Sequence, residues 1–139
     1  MKRLKTLDSI KRSGYMLRLG FRDDRQNAHA MHIQCHWRFV RGGRIVVGSF
    51  DLSRLRDDKL KDLWGNTLAD ALIEKLEKAL PANIIGIERK PLGDLRIVLD
   101  CDLAFECFID TSSQELECWR WIDCSFDPPR HTVFNEEEG

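Results

Sequence analysis

Between Met31 and Val40 the chain alternates strictly: Met31, Ile33, Cys35, Trp37 and Phe39 are apolar, while His32, Gln34, His36 and Arg38 are polar. Successive side chains of a strand point to opposite faces, so this period of two fits a half-buried strand and no helix. It imposes an antiparallel sheet with one dry face and one wet face. Arg41-Gly42-Gly43-Arg44 supplies the glycines of a tight hairpin turn, and Ile45–Ser49 returns as the partner strand. Tyr15–Phe21 alternates in the same way. In the second half Ile84–Glu88, Leu95–Leu99, Leu103–Ile109 and Leu116–Ile122 read as strands, separated by Pro91, Gly93-Asp94, Asp102 and Thr111-Ser112-Ser113. Leu4, Leu7 and Ile10 fit a helical turn and an edge strand equally well.

One segment carries helical spacing. Leu68, Ala71, Leu72, Leu76, Ala79 and Leu80 recur every three or four residues between Asn66, a capping residue, and Pro81, with Ile73 off the stripe. The expected architecture is therefore α+β: a largely antiparallel sheet of six to seven strands with one principal amphipathic helix on one face. No internal repeat is legible. Residues 1–127 are expected to form a single domain, and 128–139, closing on Glu136-Glu137-Glu138, an acidic and partly disordered tail.

The chain has 139 residues, 42% of them hydrophobic and 32% charged, enough for one core without disulfides or a metal. No run approaches a membrane span and the basic start lacks a signal-peptide apolar region, so the expectation is a cytoplasmic protein with no membrane contact. Its five cysteines, an odd number, are then reduced thiols. Cys101, Cys107, Cys118 and Cys124 are spaced symmetrically about Ser112-Ser113, so a hairpin there would set 101 against 124 and 107 against 118. The gaps lack the knuckles of a zinc site, and neither a metal nor a cofactor is expected. Residues 1–60 hold fourteen Lys/Arg against six Asp/Glu, whereas the whole chain nets −1. Nucleic-acid binding is disfavoured by that balance and would need the early basic residues gathered into one patch.

The signatures of phosphate loops, dinucleotide folds, zinc proteases and serine hydrolases are all missing. The strongest polar constellation is the row His32, Gln34, His36 and Arg38, set about 6.7 Å apart on one face by the strand rise. Its candidate catalytic residues are His32, His36 and Arg38, as an acid or base beside a cation. The alternative is a solvated sheet face. Trp119 and Trp121 share a second apolar side of the last strand, which either packs in a core or offers an aromatic patch. Gln34, Arg38, Trp64, Trp119 and Trp121 are the candidate binding residues, while Trp37 belongs to the core. The aromatic strands also admit a homodimer.

The segment His32-Ile33-Gln34-Cys35-His36-Trp37-Arg38, followed by Val47-Gly48-Ser49 and Asp51, resembles a family of small bacterial proteins with no assigned activity. That family's strand reads His-Ile/Val-Gln-Cys-Pro-Trp-Arg, so His36 stands where proline is usual. Gly65-Asn66-Thr67-Leu68 with Asp70, and Trp119-Arg120, are similar to its helix start and last strand. The resemblance implies bacterial origin and a compact single-domain α+β fold, and carries no functional residue. Two functions are expected to compete. One is a non-enzymatic domain that binds another protein, such as an immunity-type inhibitor of a partner toxin. The other is a small enzyme or ligand binder that uses the His32/Gln34/His36/Arg38 row.

Overall fold

The computed structural model describes residues 3–54, 67–113 and 116–134. Its ten strands are β1 (Leu4–Ser13), β2 (Met16–Asp23), β3 (Ala28–Ile33), β4 (His36–Arg41), β5 (Arg44–Gly48), β6 (Ala82–Arg89), β7 (Leu95–Leu99), β8 (Leu103–Phe108), β9 (Trp119–Asp123) and β10 (Arg130–Phe134). A short 3-10 turn, Ser49–Ser53, and one helix, α1 (Leu68–Glu77), lie between β5 and β6. Among the described residues the chain is thus a mostly antiparallel β protein with one α-helix, which corrects the α+β expectation of six to seven strands. Three strands account for the difference. Leu4–Ser13 is a full strand, the continuous Met31–Val40 alternation is divided into β3 and β4, and Arg130–Phe134 within the expected tail joins the sheet.

The strand order is β10-β9-β3-β2-β1-β6-β7-β8-β4-β5, with every pairing antiparallel. Only Gln34 and Cys35 separate β3 from β4, yet these strands stand six places apart in the order. At ~4.8 Å per place a flat sheet would put them about 29 Å apart. Three residue steps reach only about 11 Å. The sheet must therefore curl until its halves face each other. Their inner sides share one core, with Leu17, Leu19, Met31 and Ile33 from one half and Phe39, Leu95, Ile97 and Phe105 from the other.

Read outward from the β1–β6 joint, the order is β1-β2-β3-β9-β10 in one direction and β6-β7-β8-β4-β5 in the other. This is a repeat. Each half begins with a three-strand meander, and the hairpin that follows each meander in sequence pairs onto the third strand of the other meander. The registers match rung for rung. Arg18, His32 and Arg120 lie opposite one another in the first half, as Arg96, Glu106 and Arg38 do in the second. One bulge also coincides, at Leu7/Ser9 in β1 and at Ile84/Gly86 in β6, whereas those at Leu4/Thr6 and Phe39/Val40 are not shared. The β8–β9 hairpin expected from the cysteine symmetry is overturned by this exchange, because β8 pairs with β7 and β4, and β9 with β3 and β10.

Helix α1 packs against β1, β5 and the 3-10 turn. Its N-cap is Thr67 rather than Asn66: the Thr67 hydroxyl accepts from the Asp70 N–H, and the Asp70 carboxylate accepts from the Thr67 N–H. The buried stripe is Ala69, Ile73 and Leu76, so Ile73 faces the core instead of escaping it. Asp70 also accepts two hydrogen bonds from Arg12 of β1, at 2.8 and 2.6 Å, which fix the helix to the central strand.

Candidate functional site

The polar row does not survive the bend between β3 and β4. His32 stays on β3, on the outer face of the first half, half-buried between Arg18 of β2 and Arg120 of β9. Burial first, then the charges of Arg18 and Arg120, push its pKa below the ordinary imidazole value, against the pull of Glu117. Gln34 is exposed in the link and donates to Glu117 at 3.3 Å. His36 opens β4 on the other half, exposed, with Nε2 3.1 Å from Asp110 and Nδ1 3.2 Å from the Ser49 hydroxyl. Arg38 donates from Nε to Glu106 at 3.0 Å and lies over the Phe108 ring. His32, His36 and Arg38 are therefore not one catalytic group.

The aromatic patch also resolves into core. Trp119 is 1% exposed and Trp121 7%. The Trp119 indole donates to the Gly93 carbonyl at 3.1 Å, and Trp121 packs on Phe21 at 5.3 Å between ring centroids. Neither side chain offers a docking surface. Trp64 lies outside the described residues.

What the fold presents instead is the outer face of β6, β7, β8, β4 and β5. Alternation predicts polar side chains there, yet one rung runs Val98, Ala104, Val40, Ile45, each across from the next. Ile85, the extra residue of the β6 bulge, joins it, and Ile45 and Ile85 are 61% and 69% exposed. Together they line a hollow of about 640 Å³. Arg38, Arg44 and Arg96 also line it, with Asp102 at the hairpin end. Arg38 is occupied by Glu106, whereas the buried Nε–H of Arg96 has no acceptor. Gly42 and Gly43, both at positive φ (56° and 75°), make the tight β4–β5 turn that closes this end.

Sequence reasoning missed this face except for Arg38. The available signal was Ile84-Ile85, because two adjacent apolar residues in a strand place one of them on the wet side.

A second hollow, of about 660 Å³, includes Asp23, His29, Asp123 and Ser125. Asp23 is 5% exposed and accepts from the N–H groups of Arg25 and Asn27 and from His29 Nε2 at 3.0 Å. The His29 bond, opposed by burial and aided by the backbone donors, holds its carboxyl below the usual range. The other ring nitrogen of His29 is buried without a hydrogen bond, 3.8 Å from Asp123. These groups tie the ends of β2, β3 and β9 together. Among the described residues no cluster of three His, Cys, Asp or Glu suits a metal ion.

No family model, curated protein or solved structure matches the chain. The fold defines it as an antiparallel β domain of two interlocked halves. No helix among the described residues is long and apolar enough to cross a membrane.

Proposed function

We propose that this chain is a non-enzymatic protein-binding domain, and that its docking face is the apolar hollow on the outer side of β6, β7, β8, β4 and β5. The observation that carries the reading is the exposure of Ile45 and Ile85 on a sheet face that alternation assigns to water. Apolar side chains flanked by arginines in one hollow match the composition of protein-interface hot spots. The chemistry selects a partner segment with a bulky apolar side chain for the hollow and carboxylates for the arginines that line it, Arg44 and Arg96. The competing reading, an enzyme built on His32, Gln34, His36 and Arg38, lacks a common face for those groups.

The test pairs the native chain with an Ile45→Asp/Ile85→Asp variant, both side chains being exposed and tolerant of change. A partner that binds through the hollow should lose about 2 kcal/mol or more, roughly thirtyfold in Kd, on loss of two central apolar contacts. Arg96→Gln should weaken the same complex by a smaller factor. Undiminished binding to the double variant would sink the proposal. The narrower reading as an immunity-type inhibitor rests on the same face, and there the double variant should also stop neutralising the toxin.

A further inference from the structure

The two ends of the sheet are not alike. β5, the last strand on one side, bulges against β4 between Phe39 and Val40, a device that keeps an edge from pairing further, and α1 and the 3-10 turn pack against it. β10, at the other end, pairs with β9 over five rungs, from Arg130–Asp123 to Phe134–Trp119, without a bulge. Arg130, His131 and Thr132 are exposed and Val133 is half-buried. The direction of the free backbone groups follows from the neighbouring strands. At the two ends of β9 the Gln34 N–H donates to the Cys118 carbonyl and the Cys124 N–H to the Ala28 carbonyl. Backbone groups of a strand point alternately to its two sides, so even-numbered positions along β9 turn toward β3 and odd ones toward β10. Opposite those odd positions, Trp119, Trp121 and Asp123, stand Phe134, Thr132 and Arg130. His131 and Val133 are therefore left with N–H and C=O groups aimed away from the sheet, and among the described residues no strand meets them.

We infer that β10 is an interface between two copies of this chain, joined edge to edge and antiparallel about a dyad at Val133. Only odd-numbered residues can exchange bonds across that joint, and this register obeys the condition: Val133 faces its own copy and His131 faces Asn135. Arg130 then falls opposite Glu136, as a pair without backbone bonds between them, the kind whose side chains stand closest. The segment from Arg130 to Glu136 opens with a cation and closes with an anion, so an antiparallel strand of the same sequence complements it in charge, and the symmetry makes each pairing twice. A parallel copy would set like charges side by side. The Arg130 guanidinium stands over the Phe126 ring at 3.8 Å and finds no carboxylate among the described residues. None of the strands that line the apolar hollow takes part, so the dimer stands or falls apart from the docking reading.

Sedimentation of the native chain from about 5 to about 500 µM should show a reversible monomer–dimer equilibrium, weak because one strand pair is a small joint. Val133→Pro removes an outward N–H and leaves the ladder with β9 whole, since proline is tolerated where an edge N–H faces solvent. It should weaken the dimer at least about tenfold while the circular dichroism stays native. Arg130→Glu and Glu136→Lys should each weaken it about threefold or more, and the two combined in one chain should restore it, because the exchange rebuilds both ion pairs. A chain that stays monomeric at the highest concentration, a dimer indifferent to Val133→Pro, or a charge exchange that fails to restore association would each overturn the inference. The charge exchange decides the matter even if Val133→Pro does not fold.

Discussion

Three carboxylates, one buried and two partly covered, tie neighbouring elements of this fold together, and they shape its response to acid. Asp23 links the β2–β3 turn to His29, Asp70 links α1 to β1, and Asp123 accepts from Ser125 beside His29. For Asp70, burial by itself would raise the pKa, but the hydrogen bonds from Arg12 and Thr67 outweigh it and hold the group at about 2. Asp23 and Asp123 are lowered as well. All three carboxyls therefore bind protons more weakly in the folded chain than in the unfolded one, whose aspartates titrate near ~3.9. Their stabilisation is complete above that pH and is lost as the pH falls through the folded values. Urea midpoints should fall slightly below about pH 6.5, where the lowered His32 pKa lets the unfolded chain take up a proton first, and drop further between about pH 4 and 2 as these carboxylates titrate. Asp23→Asn should lower the midpoint at neutral pH and flatten the acid limb. An unchanged acid limb in that variant would remove Asp23 from the account.

Among the elements, α1 shows most clearly what the sequence discloses and what it hides. Its existence follows from spacing alone, but its orientation depends on what flanks it. The spacing draws a stripe of Leu68, Ala71, Leu72, Leu76, Ala79 and Leu80, whereas contact with β1 and β5 buries Leu76 together with Ala69 and Ile73, which lie off it. Thr67→Ala removes one cap and should cost about 1 kcal/mol. Asp70→Ala removes the reciprocal cap and both Arg12 bonds, which are charge-assisted and mostly shielded, and should cost about 3 kcal/mol. Equal losses in denaturant titrations would mean that the Arg12 pairing contributes nothing. The broken row has a similar cause. Neither glycine nor proline marks Gln34-Cys35, and the alternation keeps its parity through the break, so nothing local ends β3. The bend is dictated by partners, β9 for β3 and β8 for β4, that lie far along the chain. Short echoes of the repeat survive in sequence, Trp37-Arg38-Phe39 with Trp119-Arg120-Trp121 and Leu17-Arg18-Leu19 with Leu95-Arg96-Ile97, each at matching places in the two halves.

At the scale of the molecule, that repeat explains why one outer face is suited to docking and its counterpart is not. The matching charged rungs are Lys11, Arg18, His32 and Arg120 on the first half, and Glu88, Arg96, Glu106 and Arg38 on the second. Beside them the first half places Gly20, Ala30 and Ile122, while the second places Val98, Ala104 and Val40. With Ile45 and Ile85 exposed beside it, the apolar rung next to a charge-balanced one favours protein contact on the second half. The exchange of hairpins also makes the halves interdependent. The β4–β5 hairpin leaves the first meander to complete the second, and β9–β10 returns the exchange, whereas β1 and β6 touch over only two rungs, Thr6–Asn83 and Leu7–Ala82. The Leu68 N–H donates to the Arg54 carbonyl at 2.8 Å, so the residues that flank 55–66 are held side by side. A protease site placed within 55–66 should therefore give, after cleavage, two pieces that elute as one folded species and separate only in denaturant. Each piece alone should be unfolded, because its hairpin lacks the third strand it pairs with and its meander lacks a covered face. Pieces that part under native conditions, each retaining its β signal by circular dichroism, would show that the exchange does not bind the halves together.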